Sequence, residues 1–237
     1  MIGLQSLSEI ITATGGLGTA AFGLVDATKV LWGGPNRFGF GGLKTAVSPL
    51  IPANAGADKL VKGLPPDRIL ATLQANWFNG IELGSQKAIA KSLIKLNLGA
   101  DNAKDVALAT GVEEGVLKTI AANMASGKSL ESGQADAFAR FDLIVTALLD
   151  EAYQRADRAY VNGTRVLAML FSLVLAFVGG LILHNHDAVS AAKPFLWEPD
   201  MLEALVVGLL ATPLAPIAKD LSSALATAVN TMQAVKK

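Results

Sequence analysis

The residues best suited to chemistry in this chain sit close together at His184, Asn185, His186 and Asp187. Side chains two apart on a helix point in different directions, so His184 and His186 would share a metal only from extended chain. The expected role is therefore that of polar caps at an interface, with no metal bound. These are the only two histidines, and there is no cysteine. A thiol nucleophile, a cysteine-ligated zinc and an iron–sulfur cluster are thereby excluded. No phosphate-binding loop, G-x-S-x-G elbow or H-E-x-x-H pair occurs. The carboxylates are scattered among lysines, with none paired in an evident cleft. Asp150, Glu151, Arg155, Asp157 and Arg158 interleave signs as a solvated helix face does. Asn162-Gly163-Thr164 has the form of a glycosylation acceptor but falls on the cytoplasmic side of the layout derived below. The reading is of a chain with no catalytic residues and no cofactor, and of a protein that is not an enzyme.

The elements that carry these residues are dominated by apolar runs. Of 237 residues, 51% are hydrophobic and 17% charged, with 20 basic and 20 acidic side chains and a mean hydropathy of +0.43. A soluble domain has about a quarter charged residues, so the composition points to lipid. Zero formal net charge argues against a binder of nucleic acid. Residues 166–183 run 18 positions without a charge between Arg165 and His184, about 27 Å of helix and close to the hydrocarbon thickness of a bilayer. Residues 201–218 form a second candidate span, in which Pro213 and Pro216 are expected to bend or end the helix. The third is an N-terminal hydrophobic helix within 1–33, uncharged from Ile10 to Val25. There Gly15, Thr19 and Gly23, and likewise Thr12, Gly16 and Ala20, recur every four residues, the spacing that lets helices approach closely in lipid. Asp26 with Lys29, and Lys219 with Asp220, are candidate intramembrane ion pairs near span ends. Trp32, Arg165 and Trp197 are the expected interfacial anchors.

The central part divides into a Gly/Pro-rich connector over 34–66 and a helical cytoplasmic domain and stalk over 67–165. Within the connector, Phe38, Phe40 and Leu43 suit either the membrane surface, with Arg37 and Lys44 at the headgroups, or packing against the domain. Helical spacing runs from Asp67 to Leu98, with Gly80 and Gly84 as weak points, and Gly99 stops it. Asp101 suits the N-cap of a short helix through Ala109, followed by another from about Glu113 to Ala125. Ala107, Gly111 and Leu117 have helix-turn-helix spacing. Glu113 and Glu114 would repel phosphates, however, so a helical hairpin is preferred over DNA binding. From Ser132 one helix is expected to continue into the span ending at Leu183, with Asn162-Gly163 as its one candidate hinge. Residues 184–200 make an outward crossing, and 219–237 an amphipathic tail. The fold class is all-α, an integral membrane protein with two to three transmembrane helices and a cytoplasmic helical domain joined by a long helix.

Asp157-Arg158, Arg165, Asn185-His186-Asp187, Leu196-Trp197 and Ala215–Leu221 (APIAKDL) give the C-terminal third a resemblance to uncharacterised bacterial multi-pass inner-membrane proteins. That resemblance implies topology and a bacterial inner membrane, and no activity.

The function expected is a non-enzymatic subunit that anchors or scaffolds a larger membrane assembly. Its partners are membrane lipids and other membrane or cytoplasmic protein subunits, itself included, and not nucleic acid. The alternative is a homo-oligomeric, ion-conducting pore, for which Thr12, Thr14, Thr19 and Thr212 supply the polar positions. Fifteen Lys/Arg lie between Gly34 and Arg165, whereas 184–200 holds only Lys193 and residues 1–9 hold none. The positive-inside rule thus places the central domain and C-terminus in the cytoplasm. A topology reporter fused at Ser190 is expected to respond as periplasmic and one at Lys118 as cytoplasmic; the reverse pattern inverts the orientation.

Overall fold

Capping chemistry and apolar spacing between them divide this chain into helices. The computed structural model describes residues 4–52, 64–186, 195 and 199–215. Among them the order is α1 (Leu4–Trp32), α2 (Asn36–Val47), a 3-10 turn (Ser48–Leu50), α3 (Pro66–Phe78), α4 (Leu83–Asn97), α5 (Ala103–Thr110), α6 (Glu114–Ala125) and α7 (Ser132–His186). A further helix, α8, covers 199–215. The described residues contain no strand, and their regular structure is all helical. Among the described residues two helices, α1 over Ile10–Trp32 and α7, are long and apolar enough to cross a membrane.

The chain divides into two compact units, one of Met1–Pro35 with Val161–Lys237, the other of Asn36–Tyr160. In the second, α7 presents Phe141, Val145, Leu149, Tyr153 and Ala156 at three- and four-residue steps, all fully or nearly fully buried. Leu43 and Val47 of α2, Ile69 and Leu73 of α3, Ile94 of α4 and Leu117 of α6 complete the core. Tyr153 is wholly buried, and this burial pushes its hydroxyl up to about 12.

Residues 36–47 are helical, although their three glycines read as connector. The reason is a close approach. A Cβ at Gly39 would run into the Trp77 ring and lie 2.9 Å from the Ala156 carbonyl oxygen, so glycine lets α2 lie against α3 and α7. Phe40 and Leu43 then enter the core, and the Trp77 indole N–H donates to the Asn36 carbonyl at 3.1 Å.

The expected helix from Asp67 to Leu98 is two helices. Gly80, at φ +66°, turns the chain, and Glu82 restarts it. Its carboxylate accepts from the backbone N–H of Gly84 at 3.0 Å and of Ser85 at 2.9 Å, satisfying donors that a new helix leaves open. The Ser85 and Gly84 amides hold the Glu82 carboxyl below its ordinary range. The cap expected at Asp101 falls instead on Asn102, whose Oδ1 accepts from Gly99 N–H at 2.8 Å. The helix is continuous through Asn162-Gly163.

Lys87, Lys91 and Lys95 of α4 face Asp142, Thr146 and Asp150 of α7. Lys87 reaches Asp150 at 2.6 Å, while Lys91 and Lys95 reach Asp142 at 3.1 and 2.9 Å. Lys91 also donates to the Thr146 hydroxyl at 3.4 Å. Asp150, read from sequence as part of a solvated face, is thus a tertiary partner, while Glu151 and Arg155 pair within their helix as expected. The hydrogen bond from Lys95, joined by that from Lys91, holds the Asp142 carboxyl below its ordinary 3.8 against the opposing effect of desolvation. A carboxyl depressed in the folded state stabilises fully above its unfolded pKa and loses that contribution as pH falls through the folded value. Asp142→Asn is expected to cost about 1 kcal/mol at neutral pH and to flatten the acid limb of stability below pH ~4. Thermal melts of both proteins across pH check this.

Candidate functional site

The other unit is built on small residues. From α7 it takes Ala168, Ser172, Ala176, Gly180 and His184, one every four positions; all but Gly180 are buried outright. From α8 it takes Asp200, Ala204, Gly208 and Thr212, also one every four. The two rows run antiparallel and meet pair by pair. His184 Nδ1 lies 3.2 Å from Asp200 Oδ2. A Cβ added at Gly180 would sit 3.0 Å from Ala204 Cβ, and one at Gly208 would sit 3.1 Å from Ala176 Cβ and 2.9 Å from Leu173 Cα. The Ser172 and Thr212 hydroxyl oxygens are 3.0 Å apart. Four-residue rows fitted into each other are a recurring way for helices to pack, and glycine at the contact brings backbone against backbone.

Ser172 is fully buried and has one proton to give. It donates to the Gly208 carbonyl at 2.8 Å, with the Met169 carbonyl a further acceptor at 3.0 Å. The Thr212 hydroxyl is then the donor to Ser172 Oγ, so the pair is linked. Pro213 does not end α8, which stays helical through 215. Its missing N–H frees the carbonyl of Leu209, beside the carbonyl that Ser172 satisfies. At the far end of the zipper the His184 ring lies 5.4 Å from that of Phe195, which also packs edge-on against Phe177 at 5.4 Å.

A flank of α8 next to that row receives α1. A Cβ at Gly18 would run into the Ala211 carbonyl and lie 2.8 Å from Ala215 Cβ. Thr14, Gly15, Gly18, Ala21, Val25 and Thr28 form the buried stripe of α1. Of the small residues singled out in the sequence, Gly15 is buried, whereas Gly16, Thr19, Ala20 and Gly23 are exposed. A Cβ at Gly16 or Gly23 would meet no atom within 4 Å. Gly18, which makes the tight contact, lies outside both four-residue series read in α1.

The outer surface of this unit is the reverse of its interior. Val166, Leu170, Val174, Val178 and Ile182 of α7 are exposed, as are Leu202, Val206 and Leu210 of α8. Along this part of α7 and along α8, glycine, alanine, serine, threonine and a histidine are inside, and valine, leucine and isoleucine are outside.

Asp26 and Lys29 pair at 2.8 Å on an exposed face of α1. Trp32 and Arg165 are exposed. Trp197, Lys219 and Asp220 lie outside the described residues, as do Asp187 and the His186 side chain. Among the described residues no three His, Asp or Glu side chains group to hold a metal. The polar groups that do converge, Ser172 with Thr212 and His184 with Asp200, join one helix to another, and their evident work is assembly. His184 was read as an interfacial cap. Its burial and its partner 16 positions on carry no local signal, whereas the four-residue rows on α7 and α8 were open to inspection in the sequence.

Gly208→Val drives a branched side chain into Leu173 and Ala176, and Gly18→Val drives one into the Ala211 carbonyl. Each is expected to lower stability by about 1–3 kcal/mol or more, while Gly16→Val and Gly23→Val stay within about 0.5 kcal/mol of the parent. Thermal melts of the detergent-purified chain separate the two classes. The chain matches no protein-family model, no curated protein and no solved structure.

Proposed function

We propose that this chain is a non-enzymatic, multi-pass integral membrane subunit that anchors a larger assembly. In this reading α1, the end of α7 and α8 cross the bilayer of a bacterial inner membrane, with the central domain and the C-terminus cytoplasmic. The observation that carries it is the inverted polarity of the unit formed by those helices. Water would drive Val174, Val178 and Ile182 of α7 inward, and with them Leu202, Val206 and Leu210 of α8. Hydrocarbon leaves them outside and rewards close backbone packing within.

Self-association belongs to the same reading. Between Thr12 and Gly23 the outward positions of α1 are Thr12, Ala13, Gly16, Thr19, Ala20 and Gly23, all small, whereas α7 and α8 turn large aliphatic side chains outward. A second copy or another subunit can approach α1 closely along that stretch. Three of the four threonines behind the pore alternative have bonds within or between helices. Thr14 and Thr19 donate to carbonyls four residues back in α1, and Thr212 is engaged with Ser172.

The test is alkaline washing of membranes, then mild-detergent extraction and native-size separation with mass spectrometry of what co-elutes. The chain is expected to resist the wash and to elute with itself or a defined set of other proteins. Gly16→Leu with Gly23→Leu is expected to reduce that assembly without loss of insertion. Release by the wash, or a lone monomer, overturns the reading; a closed homo-oligomer that makes vesicles leak ions moves the pore ahead.

A further inference from the structure

The outer face of α2 has no part in the core. Gly39, Phe40, Leu43 and Val47 turn inward, and the opposite side carries Phe38, Gly41 and Thr45, flanked by Arg37 and Lys44, all five of them exposed. Phe38 is 49% exposed. A Cβ at Gly41 or Gly42 would meet no atom within 4 Å, so this side is flat around the phenyl ring. The charge is one-signed over a long stretch. From Ala27 to Ala57 there is no Asp or Glu; Lys29 pairs with Asp26, and the other basic residues of the stretch are Arg37 and Lys44.

We infer that this face of α2 lies on anionic lipid headgroups, with Phe38 at the boundary between headgroup and acyl chain and Arg37 and Lys44 on phosphates. The inference rests on the membrane reading above. Covalent continuity supports it. Phe38 follows Trp32, the last residue of α1, by six positions, which a chain spans in at most about 20 Å. An interfacial aromatic flanked by bases is the composition that such surfaces bind, and the cytoplasmic leaflet is the anionic one. Phe40 and Leu43 take the packing role, and the inference gives Phe38, with Arg37 and Lys44, the membrane one.

The chain has no cysteine, so single cysteines can be labelled cleanly. Phe38→Cys, Leu108→Cys and Val174→Cys, each carrying a fluorophore, are compared in the full chain in lipid nanodiscs containing nitroxide-labelled lipid. Leu108 is the control in the same unit, an apolar residue 78% exposed on α5, and Val174 is the control for the span, 58% exposed on α7. In discs of mixed phosphatidylcholine and phosphatidylglycerol, quenching at 38 is expected to exceed that at 108 by roughly twofold or more, and Arg37→Glu with Lys44→Glu to remove roughly half of it. Quenching at 174 is expected to be strong in every case. Quenching at 38 no greater than at 108, with 174 still quenched, overturns the inference and leaves the membrane reading standing. Equal quenching at 38 in pure phosphatidylcholine overturns the assignment to anionic headgroups. No quenching at 174 overturns both.

Discussion

The architecture turns on how closely two antiparallel helices approach along one seam. At Gly180 and Gly208 the facing helix takes the space where a Cβ would stand. Because nothing larger fits, the apolar bulk of α7 and α8 turns outward and the seam holds small and polar side chains. Gly18 repeats the device on a neighbouring flank of α8, where the Ala211 carbonyl closes on α1. Dispersion between backbones, strengthened by hydroxyl hydrogen bonds, holds helices together where burial of large side chains offers no net gain.

The unit of Asn36–Tyr160 follows the opposite rule, with large aromatic and aliphatic side chains inside and charge outside. Its α4–α7 contact adds a row of lysines facing carboxylates at one-turn intervals, partly buried and so less screened than a free surface pair. Asn97 and Asn102 add a buried polar hold. Both donate toward the Pro52 carbonyl, at 3.0 and 3.4 Å, which fixes the chain after the 3-10 turn against the end of α4. One polypeptide thereby uses two packing chemistries, and α7 takes part in both.

Much of the fold was legible. The long helix of α7 announced itself by a three–four apolar stripe running into a chargeless stretch, and the α5–α6 hairpin by Gly111 and Gly127. The glycines were the hard part, because the same residue has three roles here. Gly80 stands at a break, with Glu82 following to cap the next helix; Gly163 lies inside a continuous one. Gly39 sits inside a helix because Trp77 and Ala156 come close, a fact that depends on residues about 40 and 120 positions away along the chain. In α1 the sequence advertises two small-residue series, and the tight contact uses Gly18 from neither. His184 with Asp200 was hidden for a related reason: a buried pair across a crossing leaves no periodic trace, although the rows that bring it together do.

A seam that repeats every four residues on both helices offers more than one alignment. Sliding α8 along α7 by one turn would again set small residues opposite small residues, though Ala204 or Thr212 would then bring a Cβ to the place that Gly208 leaves open against Leu173 and Ala176. The polar pairs sharpen that choice. After such a slip His184 would face Ala204 or lie beyond the start of α8, Asp200 would lose its imidazole, and the Ser172 and Thr212 hydroxyls would part. Buried polar groups without partners are costly, so these pairs act as pins that select one alignment among several close alternatives, as a single buried polar residue does in a coiled coil.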